Sequence, residues 1–176
     1  GADNTGIGYG ALFAATTSSD NTAVGHGSQE NTTTGANNTS VGADSLKQNT
    51  TGEHNVAVGA TALDAEVAGH KNVAIGQDSL GSQSNSGSTN VYNTAVGYAS
   101  GAAVTTGIQN TLIGGLAGDV LTDADYNVAL GVSALGADTL GSKSVALGYS
   151  TLTNQNFTTA TDTYNTAVGY TAGSSV

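Results

Sequence analysis

Cysteine, proline, methionine and tryptophan are all absent from this chain of 176 residues, and charged side chains make up only 9% of it. An ordinary globular domain carries roughly 25% charged residues. Without cysteine, a disulfide framework and thiolate zinc sites are excluded. Cations are almost missing: Lys47, Lys71 and Lys143 stand alone against a net charge of −10. Nucleic-acid binding needs Lys and Arg to neutralise phosphates, so that class of partner is excluded, and an anionic membrane surface is disfavoured. Aromatics are 5%, which leaves few large anchors for a conventional core. No long apolar run, signal peptide or lipidation signal is visible, so no direct membrane insertion is expected. The chain begins and ends mid-pattern, and we expect it to be a segment of something longer.

What is abundant is glycine, 26 residues, and a repeat. A pentapeptide Asn-Thr/Val-small-Val/Ile/Leu-Gly starts at Asn4, Asn21, Asn38, Asn55, Asn72, Asn93, Asn110, Asn127, Ser144 (in place of Asn) and Asn165. Successive starts are 17 residues apart, except for two steps of 21. The longer steps define two units of 72 residues, 21–92 and 93–164, each with three short coils and a long one. A fixed period of this kind marks stacked repeats. The whole chain, 1–176, reads as a single repetitive segment.

The period defines columns. Corner glycines close each pentapeptide at Gly8, Gly25, Gly42, Gly59, Gly76, Gly97, Gly114, Gly131, Gly148 and Gly169, where a Cβ would obstruct the turn. Four residues beyond, Leu recurs at Leu12, Leu46, Leu63, Leu80, Leu135 and Leu152. The Asn column is assigned to a ladder that satisfies turn backbone groups along the axis, with ligand presentation as its competitor. β-Branched residues before the Gly suit a pleated strand, while Gly and Asn at this density oppose a helix. The expected fold is an all-β parallel solenoid, a flat roll of ten coils. Each coil should have two strands, the second near Thr33-Thr34, Thr50-Thr51 and Thr105-Thr106.

Alternation sends neighbouring strand residues to opposite faces. The expectation is that the bulky Thr/Val and Val/Ile/Leu columns point inward. The small column, Gly6, Ala23, Ser40, Ala57, Ala74, Ala95, Leu112, Ala129, Ala146 and Ala167, then points outward. An uncharged outward stripe invites a protomer–protomer seam, with Ala57, Ala74, Ala95, Ala129 and Ala146 as its candidates. The competing reading is a bland exposed face.

Residue sets for catalysis are weak, and no enzyme is expected. His26, His54 and His70 pair with no nucleophile motif, and no Walker loop, nucleophile elbow or zinc-ligand spacing occurs. No cofactor is expected. Asp119, Asp123 and Asp125 cluster in sequence, where a solvated turn is favoured over an ion site. Tyr9, Tyr98, Tyr149 and Tyr170 follow corner glycines; they are candidates for ligand contact, against a packing role as lids on the coil edge. The four-residue insertions, within 81–92 and 153–164, are either binding loops or spacers. An outward Thr array would suit an ice-binding solenoid, but one Thr/Val column reads as interior. The other, Thr16, Thr33, Thr50, Val67, Thr105, Thr122 and Thr139, is broken by the longer coils and has no parallel Thr column beside it.

Asn-Thr-Ala-Val-Gly-Tyr at 93–98 and 165–170, with Ser-Val-Ala-Leu-Gly at 144–148, resembles the head repeats of trimeric autotransporter adhesins. Similar repeats occur in bacteriophage fibres. The likeness runs over essentially the whole chain, although the adhesin repeat is shorter than 17 residues and no stalk is present. It implies a homotrimer of left-handed β-rolls on a bacterial cell or virion surface, outside the cell, with a structural or adhesive job. Its partners would be copies of itself, and a host surface glycan or protein. The alternative is a ligand-binding solenoid such as an ice binder.

Overall fold

The computed structural model describes residues 1–176, which wind into one parallel β-solenoid of ten coils with no helix. Each pentapeptide contributes a three-residue strand, from Thr5–Ile7 through Val73–Ile75 to Thr166–Val168, and the ten stack in chain order in one sheet. The register never slips. Thr39, Ser40 and Val41 lie beside Val56, Ala57 and Val58, and Val73 still meets Thr94 across the longer coil. At about 4.8 Å per strand the stack is about 43 Å long.

Corner glycines hold the repeat together. Their φ angles run from 129° at Gly8 to 142° at Gly42, a region closed to side chains. A Cβ on Gly59 would also sit 2.6 Å from the carbonyl carbon and oxygen of Gly76 in the next coil. Three further positions per coil are left-handed: two and four residues after the corner, and the one before each Asn. In the third coil these are Asp44 (φ 55°), Leu46 (φ 50°) and His54 (φ 59°). Such backbone costs on the order of 1–2 kcal/mol per residue. Hydrogen bonds to both neighbouring coils offset it: Asp44 N–H donates back to His26 O (2.8 Å), and Leu46 N–H donates forward to Ala62 O (3.0 Å).

Two expectations are corrected. The Thr-Thr segments are not strands. Around Thr33 the carbonyl oxygen alone accepts from the N–H groups of Thr16, Thr17 and Ser18 (3.1, 3.2 and 3.2 Å) and from the Thr16 hydroxyl (2.9 Å). Converging donors make a turn, whereas a ladder needs alternating partners. Second strands form only beside the insertions, where Gly69–His70 pairs with Thr89–Asn90 and Gly141–Ser142 with Thr161–Asp162.

The second correction is the sense of the strand. Ala57, Ala74, Ala95, Ala129 and Ala146 are fully buried within the chain, so none of them forms a protomer seam. They belong to one core cluster with Leu46, Leu63, Leu80, Leu112, Leu121, Leu135 and Leu152. The roll is narrow. A Cβ at Gly6, in the Ala column, would lie 3.7 Å from Leu12 Cδ1 and 3.8 Å from Ala11 Cβ across the coil. With Leu occupying that space, only a small side chain fits opposite. Each buried Leu contributes roughly 1.5–3 kcal/mol of hydrophobic stabilisation, and Ala fills the remainder.

Candidate functional site

Turning the strands over puts two bulky columns on the outside. One is Thr5, Thr22, Thr39, Val56, Val73, Thr94, Thr111, Val128, Val145 and Thr166. The other is Ile7, Val24, Val41, Val58, Ile75, Val96, Ile113, Leu130, Leu147 and Val168. None of these twenty is buried and none is charged. Ile7 is 59% exposed, Leu130 44% and Val168 67%. These two columns make a contiguous uncharged face that runs the length of the ten-strand sheet.

The Asn column is a ladder, as its chemistry suggested. Each side-chain oxygen accepts the backbone N–H of the next member: Asn21 from Asn38, Asn38 from Asn55 and Asn55 from Asn72, all at 2.9 Å. Asn93, Asn110 and Asn127 continue it. The amide nitrogens of Asn21, Asn38 and Asn55 donate to the carbonyls of Gly35, Gly52 and Gly69, at 2.9 Å each. Both ends of the amide are consumed inside the stack. Asn165 departs from the pattern and donates to Gln155 Oε1 (2.8 Å).

Tyr9, Tyr98, Tyr149 and Tyr170 are 83%, 58%, 49% and 77% exposed, so they stand on the surface rather than close the core. They stack along the axis where the column allows. Tyr149 and Tyr170 lie 5.1 Å apart at 12°, and Tyr9 stacks on His26 at 5.5 Å. Tyr98 has Gln77 and Gly115 as its column neighbours and no stacking partner. Asp119, Asp123 and Asp125 do not gather into a ligand set. Asp123 accepts the Thr106 hydroxyl, while Asp125 accepts the Ile108 N–H at 2.7 Å. Burial raises the carboxyls of Asp119 and Asp125 above the usual range.

Sequence reasoning missed the residues that anchor the insertions. Glu66 and Asp138, 72 residues apart, are fully buried carboxylates. Glu66 Oε1 accepts the N–H groups of Val67 (2.8 Å), Ala68 (3.1 Å), Gly69 (2.8 Å) and Asn85 (3.1 Å). Its Oε2 accepts from Gln83 (2.7 Å) and Asn85 Nδ2 (3.1 Å). Asp138 accepts from Gly141 N–H (3.1 Å), Phe157 N–H (2.9 Å) and the Gln155 amide. On the surface above, Lys71 lies 5.1 Å over the ring of Tyr92 and Lys143 5.3 Å over that of Tyr164. The recurrence of acid, Lys and Tyr at one spacing of 72 was the available signal.

The two insertions differ in their polar surface. Lys143 forms an ion pair with Asp162, which raises the lysine and holds the Asp162 carboxyl below the usual carboxylate range. At the first insertion Asn90 replaces that aspartate, and a groove of about 280 Å3 opens among Glu53, His54, His70, Lys71, Ser88 and Asn90.

No family model matches the chain, and neither the curated proteins nor the solved structures give a match. No helix is long and apolar enough to cross a membrane.

Proposed function

We propose that this chain is a structural and adhesive segment of an extracellular homotrimeric fibre, non-enzymatic, on a bacterial cell or virion surface. A rigid repetitive β-solenoid scaffold is what the fold provides. The observation that carries the fibre reading is the outer sheet face, two uncharged columns of Thr, Val, Ile and Leu running the full stack. Covering that face with identical chains buries what a lone roll leaves in water, and equal registers along each roll let every coil repeat the same contact. The seam thus moves from the Ala column to its two neighbours on the strand. Three protomers, rather than two, follow the resemblance to adhesin heads.

The test is Val41→Glu combined with Leu130→Glu, followed by light scattering and circular dichroism. Both side chains point out of the roll, so the variant keeps its β signal and falls to the mass of one chain. A variant that keeps the wild-type mass would refute this face as the seam.

One observation also favours the ice-binding alternative: the Thr/Val column is exterior, in regular steps along a parallel sheet. Valine interrupts it at Val56, Val73, Val128 and Val145. Thermal hysteresis from a monomeric protein would select this reading over the fibre.

A further inference from the structure

We propose that the groove beside the first insertion binds the carboxylate of an acidic sugar. The second insertion supplies the argument. There, Lys143 donates to the Asp162 carboxylate and to Tyr164 Oη (3.4 Å), and the Asp162–Tyr164 contact closes the set at 3.2 Å. The first insertion has the same lysine and the same tyrosine, with Lys71 Nζ donating to Tyr92 Oη at 3.2 Å. The carboxylate between them is missing, because Asn90 occupies the position of Asp162 in the paired strand. No acidic side chain pairs with Lys71, although the chain carries an excess of acids and only three lysines. An incoming carboxylate would restore the set that the second insertion completes internally.

The rest of the groove fits a polyhydroxylated ligand. None of its lining residues is hydrophobic. His70 is held in one tautomer: Nδ1 accepts the Glu53 backbone N–H (2.9 Å), so Nε2 carries the proton and donates to Ser88 Oγ (2.6 Å). The Ser88 hydroxyl proton is then free to donate. Lys71, Ser88 and the Asn90 amide together offer an ammonium and two neutral donors to one carboxylate, and charge-assisted bonds of this type are the strong ones. The Glu53 carboxylate, which also lines the groove and lies 3.9 Å from His54 Nε2, can accept sugar hydroxyls. In the second unit Ser142 and Ala160 stand where His70 and Ser88 do, so this donor arrangement exists once per chain.

The assignment deepens the attachment reading by naming a ligand class, and its test is independent of assembly. Titration of the full chain with glucuronic acid, glucose and acetate, followed by amide chemical shifts, reads binding. Sedimentation of the same samples reads mass. Saturable shifts at residues 53–54, 70–71 and 88–90 with glucuronic acid alone are expected. Asn90→Asp, which supplies the internal carboxylate, should weaken them at least tenfold with the fold intact, and Lys71→Met should do the same. Absence of glucuronate binding at millimolar concentration overturns the proposal, as does binding matched by acetate or unchanged by Asn90→Asp. A monomer that binds glucuronate would keep this site and overturn the fibre alone.

Discussion

Residues 28–46 and 100–118 occupy the same place in the two successive 72-residue units, yet the first fills its interior with polar groups and the second with leucine. In the first, Gln29 Nε2 donates to Ser40 Oγ (2.9 Å) and to the Thr22 carbonyl (3.0 Å), and Ser28 and Ser40 share a hydroxyl bond (2.5 Å) beside Leu46. In the second, Gly101, Leu112 and Gly118 take the positions of Gln29, Ser40 and Leu46. Leu112 spreads into the space its neighbours vacate: a Cβ on Gly101 would lie 2.7 Å from Leu112 Cδ1, and one on Gly118 2.9 Å from its Cδ2. Part of the space held by Gln29 and Leu46 in the first unit is thus taken by Leu112 in the second. The polar version also leaves Gln29 Oε1 buried without a hydrogen-bond partner, a cost the leucine version does not carry. A narrow roll therefore tolerates different chemistry in its core when a large side chain in one column meets glycines in the facing column.

The comparison is sharpened first by perturbing what the units share. Gly59→Val and Gly131→Val replace equivalent corner glycines, at φ 134° and 139°, each closed off by the next coil's carbonyl. Strained backbone plus overpacking predicts a loss of about 4 kcal/mol in both, read as equal falls in melting temperature. Unequal falls would mean that the two units do not share one frame. Next comes what they do not share. Leu112→Ser should cost about 3 kcal/mol by leaving a cavity. Ser40→Leu alone should destabilise by overpacking against Gln29 and Leu46, and adding Gln29→Gly and Leu46→Gly should recover most of that loss. Denaturant unfolding of the set measures it, and no recovery would break the volume argument.

The period, the corner glycines and the Asn ladder were legible because each coil demands them identically. The sense of the strand was not. In Val56-Ala57-Val58 alternation separates the faces, but three residues without a charge do not say which face is wet. Assigning the larger residues to the interior ignored the width of the roll. Leu112 carried the missing signal: Leu appears in the Ala column once, in a coil whose Leu position, four residues past the corner, is Gly118. Two columns that trade volume share one space, which places Ala inside with Leu. Glu66 and Asp138 were passed over because a lone acid in a repeat reads as solvated; their burial is explained by insertion amides that sequence does not locate.

Those acids provide the third test. Glu66→Ala strands six donor contacts and Asp138→Ala three, so losses of about 3 and about 2 kcal/mol are expected, in that order, from thermal melts. The reverse order would show that the two insertions are anchored elsewhere. The smallest effect is electrostatic and confined to the second unit. Lys143 depresses the Asp162 carboxyl, so this pair contributes stability above the ordinary aspartate range and loses it as pH falls through the lowered value. An NMR titration should place Asp162 below that range in the native protein and return it in Lys143→Met. No change on removing the lysine would remove the ion pair from the account.

The outer face bears the central claim, and sedimentation equilibrium of the unaltered chain across a wide concentration range tests it most directly. The account predicts a single species of three times the 17.1 kDa chain mass. A species of 17.1 kDa at every concentration would contradict it.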